Sequence, residues 1–295
     1  MISNLPAHTQ AMIHMVWSGI LFGTLWALIR HTSETVHPFM IVFYRTLFAL
    51  LAFAPVFWRV GIGFFKTERI GLHFLRSLFA ISGTLGTFYA IANAPLADVV
   101  AISYAAPIFA VIGAALWLGE RIKIRRILAI LIAFAGAFLV VRPGFEAVTM
   151  GIWAAIIGAV SIGASMLVIK SLTSTDDPQA IAAYSFLLIL PVVFLVALSV
   201  WQWLTLEELG LLLVIGVMVR FAHTALGRAF ALGEASAVLP LDFVRLMLAT
   251  LFGVYLFGEP VDILTLAGAL LILGSTVYTA HREAQLGKQA TRPVP

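Results

Sequence analysis

AIANAPLADVVAISYAAPIFAVIGAALWLGE, residues 90–120, is echoed later in the same chain by AFALGEASAVLPLDFVRLMLATLFGVYLFGE, residues 229–259. Ala90, Ala92, Val99, Gly119 and Glu120 return at one constant offset as Ala229, Ala231, Val238, Gly258 and Glu259. Each copy reads as small residues, then a mostly apolar run holding a proline, then Gly-Glu. About 20 apolar residues make one membrane crossing. Outside this stretch Gly23, Pro38 and Tyr44 find partners in Gly163, Pro178 and Tyr184, one residue further apart. The chain therefore reads as two tandem copies of one membrane unit.

Composition supports this. The 295 residues are 62% hydrophobic and 11% charged, against roughly 25% charged in a soluble domain. Mean hydropathy is +1.05. With no cysteine, disulfide frameworks and thiolate metal sites are excluded. The net charge of +4 comes largely from short loops, which fits a basic cytoplasmic face and not nucleic acid as partner.

Hydrophobic runs predict an all-α integral membrane protein with ten transmembrane helices, near 12–29, 37–59, 69–91, 95–118, 124–142, 150–170, 178–200, 208–230, 234–257 and 261–280. The first run lacks the basic flank of a secretory signal and reads as a retained helix. The halves are residues 12–142 and 150–281, with a polar tail, 282–295, expected to be disordered. With ten crossings the termini share a side. That side also carries Arg59, Lys66, Arg69, Arg121, Lys123, Arg125, Arg126, Lys170 and Arg228, whereas Arg30 and Arg142 lie opposite. The positive-inside rule makes it cytoplasmic. Five helices per copy is odd, so the second copy inserts upside down. Inverted repeats with a site at their interface are a recurrent transporter design.

The phrases RSLFAISGTLGTFYAIANAPLADVVAISYAAPIFAVIGAALWLGERI (residues 76–122) and AFAGAFLVVRPG (133–144) resemble the drug/metabolite transporter superfamily, in its ten-helix branch with two EamA-type halves. The most specific pieces are Ala94-Pro95-Leu96-Ala97, Tyr104-Ala105-Ala106-Pro107 and Leu118-Gly119-Glu120. The second copy has Leu246 in place of Pro107 and a proline earlier, at Pro240. The resemblance implies a small-molecule carrier of the bacterial inner membrane, nearest to amino-acid exporters, working by alternating access. Carriers of S-adenosylmethionine or a nucleotide-like metabolite, taken up or exchanged, and drug/proton antiporters are the alternatives it leaves.

Ionisable residues within the spans are functional candidates because a charge in hydrocarbon is costly. They are Arg45, His73, Arg76, Arg220, His223, Asp242 and Arg245, with Asp98 at the start of a span. Gly216, Arg220, His223 and Gly227 share one helical face, as do His73, Arg76, Ala80, Gly83 and Thr87. Plainer readings stand beside these. Asp242 and Arg245 are one turn apart and can neutralise each other. Arg45 can snorkel or hold loop carbonyls, a structural role. His223 fits a hydrogen-bonded core histidine, Asp98 a helix cap, and Glu120 and Glu259 capping and loop geometry. Among aromatics, Trp17, Trp26, Phe79, Tyr89, Tyr104 and Trp153 are candidates to line a cavity; tryptophans near helix ends more often anchor at the interface. Tyr104 sits one turn before Pro107, which can kink its helix and free a carbonyl. The expected substrate-binding set is Arg76, Phe79, Gly83, Ser103, Tyr104, Arg220, His223, Asp242 and Arg245, with Pro107 and Pro240 as hinges.

Ala129, Ala133, Ala137 and Gly136 form a small-residue stripe, to be matched by Gly268 and Gly274 inside a monomer or by a second copy in a homodimer. No HExxH, GxSxG or nucleophilic cysteine points to an enzyme, and neither cofactor nor metal is expected. Interior arginines outnumber acids, which leans toward anionic or zwitterionic metabolites: Arg220 or Arg245 for a carboxylate, Asp242 for an ammonium. The topology is testable. A reporter active only in the periplasm should be silent when fused after Pro295 and active when inserted near Glu207; the opposite pattern overturns the orientation.

Overall fold

The computed structural model describes residues 5–61, 66–93, 102–103, 105–120, 124–141, 149–257, 263–264, 267–268, 270–275 and 277–278. Among the described residues regular structure is entirely helical. The first repeat contributes α1 (Ala7–Thr32), α2 (Pro38–Leu51), α3 (Ala54–Val60), α4 (Ile70–Asn93), α5 (Ala106–Trp117) and α6 (Ile124–Val141). The second contributes α7 (Met150–Leu172), α8 (Pro178–Leu198), α9 (Leu206–Leu232), α10 (Ala235–Val238), a 3₁₀ segment (Leu239–Phe243) and α11 (Val244–Phe257), followed by helical residues between 263 and 278. Among the described residues five helices are long and apolar enough to cross a bilayer: Ala7–Thr32, Pro38–Val60, Met150–Leu172, Pro178–Leu198 and Leu206–Leu232.

Two predicted helices are broken, each at a proline. The run 37–59 divides into α2 and α3 because Pro55 has no N–H for the helical ladder. The run 234–257 opens as one α-turn, tightens into the 3₁₀ segment around Pro240, and becomes regular only at Val244. Its counterpart α5 becomes regular at Ala106, with Pro107 in the first turn. Subtracting the repeat offset from Val244 gives Ala105, one residue before the start of α5, and residues 102–103 ahead of it are helical too.

The packing repeats the sequence symmetry. Helix α1 lies along α9 and α11, and α7 lies along their counterparts α4 and α5. At the first crossing Ser18 Oγ donates to Ala222 O at 3.0 Å. At the equivalent crossing a Cβ on Gly158 would come 3.3 Å from Gly83 O. At the second, a Cβ on Gly23 would meet Leu248 Cβ at 2.8 Å and Arg245 O at 3.0 Å. A Cβ on Gly163 would meet Ala106 O at 2.8 Å and Phe109 Cβ at 3.0 Å. Gly23 and Gly163 are sequence equivalents, and so are the positions they touch.

One end of the bundle is tied by polar contacts. Arg69, just before α4, donates through Nη1 to Ser171 O and through Nη2 to Ser171 Oγ, both at 2.9 Å. Lys170 Nζ donates to Phe230 O at 2.6 Å and also to Gly233 O. Glu120 accepts from the N–H groups of Ala235 (3.0 Å) and Ser236 (3.2 Å), capping α10. Thr67 Oγ1 and His73 Nε2 both donate to Asp176 Oδ2, at 2.6 and 2.7 Å. The start of α1 lies here too, since a Cβ on Gly233 would meet Ala11 Cβ at 2.8 Å. The starts of α1 and α4 therefore share an end with the finishes of α7 and α9, and these equivalent helices run in opposite senses.

The outer surface is apolar: Trp58, Leu116 and Tyr255 are among the most exposed side chains. Trp17, Trp26, Tyr89 and Trp153, candidates for a cavity wall, also face outward, as interfacial or lipid-facing rings do. The α6 stripe is used within the chain. Ala133 and Ala137 pack with Phe243 and Ile272, and a Cβ on Gly136 would meet Gly268 O at 2.7 Å. Gly274 has nothing within 4 Å of such a Cβ and takes no part in that contact. Gly163→Ala and Gly23→Ala should each lower the melting midpoint in detergent, at a cost of roughly 1–3 kcal/mol for overpacking. Gly210→Ala, where nothing lies within 4 Å, should leave it unchanged or raise it. Indistinguishable midpoints for all three variants would count against the close approach.

Candidate functional site

A cavity of about 260 Å³ lies between the repeats, where the two main apolar clusters meet. Met166 and Leu226 reach it from one cluster, Phe186 and Val219 from the other. Its volume is near the lower end of small-ligand pockets. The walls are largely hydrocarbon, yet Arg45 of α2, Arg76 of α4, His223 of α9, Asp242 of the 3₁₀ segment and Arg245 of α11 all line it. Both repeats thus bring charge to one space.

Asp242 is 2% exposed, and its Oδ2 lies 3.2 Å from Arg245 Nη2. The 3₁₀ segment matters here, because it places Asp242 where the helix tightens and Arg245 at the second residue of the regular part. His223 stands between two rings, edge-on to Phe22 and to Phe186 at 5.2 Å each. Arg76 is 2% exposed, and its Nε and Nη1 are buried without a protein hydrogen-bond partner. Arg45 Nε and His223 Nδ1 are in the same condition. The hydroxyls of Thr46 and Thr84 fold back on their own helices, donating to Val42 O (2.7 Å) and Ala80 O (2.8 Å). Ser165 Oγ donates to Arg76 O at 3.4 Å, tying α7 to α4 beside the cavity.

Of the expected binding residues, Arg76, His223, Asp242 and Arg245 meet at the cavity. Arg220 does not line it. Pro55 has no N–H and the N–H of Val56 bonds Phe53 O, so the carbonyl of Ala52 is left without a helical donor. Arg220 Nη1 donates to that carbonyl while its guanidinium lies over Phe53, 4.6 Å from the ring centroid. This is a structural position. Phe79 packs against the first apolar cluster, outside the cavity. Gly83 faces α7, where a Cβ would meet Ile162 Cγ1 at 2.8 Å. Ser103 is not among the lining residues, and Tyr104, Asp98 and Glu259 lie outside the described residues. Pro107 and Pro240 are buried, each where a helix becomes irregular or begins.

The two polar stripes divide their work. On α9, Gly216 packs on Phe48 and Ala49 and Gly227 on Pro178, which leaves His223 for the cavity. On α4, Arg76, Ala80 and Thr84, spaced by four, face the cavity, whereas Gly83 and Thr87 face α7. His73 is drawn to the tied end, fully buried against Asp176 and packed on Tyr184 with the rings tilted by 36° at 4.2 Å between centroids. Arg45 lines the cavity although snorkelling was its plainer reading. The binding set also omitted Phe22, Thr84, Ser165 and Phe186. Arg45 had a usable signal, a charge well inside an apolar run; the others had none in a single sequence.

A largely apolar cavity that holds a few charged side chains, enclosed by helices whose outer faces are apolar, is the arrangement of a multi-pass membrane protein that accommodates a small solute. The model of the EamA-like transporter family matches residues 9–142 and again 149–280, so the chain belongs to that family and each repeat is one family unit. It is 29% identical to a riboflavin transporter of Vibrio cholerae, over 92% of this chain and 93% of that one. It is 25% identical to an S-adenosylmethionine uptake transporter of Rickettsia bellii (86% and 87%) and 28% identical to a pseudopaline exporter of Pseudomonas aeruginosa (88% and 91%). These relatives are small-metabolite transporters by name, and they share no one substrate or direction.

In this cysteine-free chain the cavity can be mapped chemically. Cysteines at Thr84 and Ser165 should react with small polar thiol reagents and be protected by bound solute. One at Leu131, exposed on the outer face of α6, should stay unlabelled in lipid. Equal labelling at all three would remove the cavity assignment.

Proposed function

We propose that the chain is a secondary transporter of the bacterial inner membrane, with ten crossings arranged as two inverted five-helix repeats. One repeat spans 12–142 and the other 150–281, with both termini and the 282–295 tail cytoplasmic. A small metabolite bearing a carboxylate, amino acids included, occupies the cavity and crosses by alternating access. The observation that carries this reading is the convergence of Arg45 and Arg76 from one repeat with His223, Asp242 and Arg245 from the other. Charges from both halves of an oily bundle mark a place where a polar solute rests between two moving bodies. Pro107, in the first turn of α5, and Pro240, in the 3₁₀ segment, are the hinges in this scheme. Export is the direction that the resemblance to amino-acid exporters favours. A second reading has its own support: the ring pair Phe22 and Phe186 around His223 suits a planar heteroaromatic, and one relative is a riboflavin transporter.

Counterflow into liposomes holding purified protein separates the two. Amino acids, riboflavin and S-adenosylmethionine are offered with and without a pH gradient, and flux of an amino acid is the expected result. The Asp242→Asn, Arg245→Gln double variant removes a charge pair that borders the cavity without stranding either partner; breaking a buried pair from one side costs roughly 3–5 kcal/mol. It should stay monodisperse in detergent and lose flux on the order of tenfold or more. Wild-type flux from a folded double variant would return the pair to scaffolding.

A further inference from the structure

Charge in the cavity does not balance. Of its lining residues Arg45, Arg76 and Arg245 are cationic by nature and Asp242 is the one acid. Asp242 already lies 3.2 Å from Arg245, so that pair is neutral as a unit. Arg45 and Arg76 remain. Among the described residues neither has a carboxylate within ion-pair distance, and Nε of both, with Nη1 of Arg76, are buried without protein partners. Elsewhere Arg69 and Lys170 take helix-end carbonyls, and Arg220, whose Nε is also buried without a partner, donates through Nη1 to the carbonyl freed by Pro55, away from the cavity. Two uncompensated guanidiniums inside an apolar membrane bundle call for an anion.

We propose that Arg45 and Arg76 together form the anion-anchoring subsite of the cavity, and that its ligand is an organic anion whose carboxylate or phosphate they receive. The apolar body of the ligand rests on Phe22, Phe186 and Met166. A cation there would meet two unneutralised positive charges, while the one acid is engaged by Arg245. The cavity therefore selects against cations of the S-adenosylmethionine type and prefers an anion to its uncharged isostere. This deepens the transporter reading by naming the charge of the solute, and it rests on that reading for the cavity's role.

Binding to the purified protein tests it without requiring transport. Benzoate is compared with benzamide and benzylamine, and riboflavin 5′-phosphate with riboflavin, by calorimetry in detergent at low ionic strength. In at least one set the anion should bind roughly tenfold or more tightly than its neutral partner, the scale of a charge-assisted contact. Arg45→Gln and Arg76→Gln should each cut that ratio severalfold, whereas Arg59→Gln, on an exposed residue, should not. Should a glutamine variant fail to fold, the wild-type isostere ratios still decide. Absence of an anion preference in both sets overturns the proposal, as does a preference that survives both substitutions or inorganic phosphate binding as tightly as the organic anions. Failure of the transporter reading looks different: anions bind with the expected ratio, yet no member of the panel crosses a liposome membrane.

Discussion

A helix bundle in lipid has no water to satisfy its polar groups, so every charge and every carbonyl released from a helix must find a partner within the protein. That constraint orders the structure. The carbonyl left at the α2–α3 break takes Arg220, the finish of α9 takes Lys170, and the start of α10 takes Glu120. Asp242 takes Arg245. Arg45 and Arg76 stand out among the cavity's cations: each keeps a buried nitrogen without a protein hydrogen-bond partner and, among the described residues, neither has a carboxylate within ion-pair distance. The site is thus marked by two guanidiniums without acidic partners, brought to one cavity.

The second constraint is close approach. Gly23 and Gly163 bring α1 and α7 against the backbones of α11 and α5, and the carbonyls they meet, Arg245 O and Ala106 O, are repeat equivalents. Symmetric packing therefore carries asymmetric chemistry. Where the second repeat has Asp242 and Arg245, the first has Ser103 and Ala106. The backbone is shared because both repeats must pack the same way, and the side chains diverge because one cavity needs only one charged pair of this kind.

Much of this was legible in the sequence, and the boundary of legibility has a physical cause. The repeat, the helical class and four of the cavity's charged residues follow from offset, hydropathy and the cost of charge in lipid. Arg220 was misleading because its partner, the Ala52 carbonyl, exists only once Pro55 breaks the second span, some 165 residues earlier in the chain. Gly83 and Gly227 were misleading because a small residue marks closeness without saying whether helix or ligand is close. Phe22 and Phe186 were invisible because nothing in one sequence distinguishes a phenylalanine facing a cavity from one facing lipid.

The tied end of the bundle constrains any account of how the cavity opens. Thr67 and His73 of the first repeat hold Asp176 of the second, so relative movement of the repeats at this end must break those bonds. Burial pushes the Asp176 carboxyl up, but hydrogen bonds from Thr67, His73 and Thr175 outweigh it and hold the group below the ordinary carboxylate range. A carboxylate depressed in the folded state adds stability above its unfolded value and loses it only as pH falls through the folded one. Asp176 is therefore ionised throughout the physiological range, and protonating it is not what releases this end. In the proposed transport scheme the trigger is instead the cavity, where charged groups of both repeats meet. An occupant that neutralises Arg45 and Arg76 changes the balance between the repeats there without touching the tie. Coupling between the two ends would then run through α4, which carries His73 at the tie and Arg76 at the cavity less than one helical turn apart.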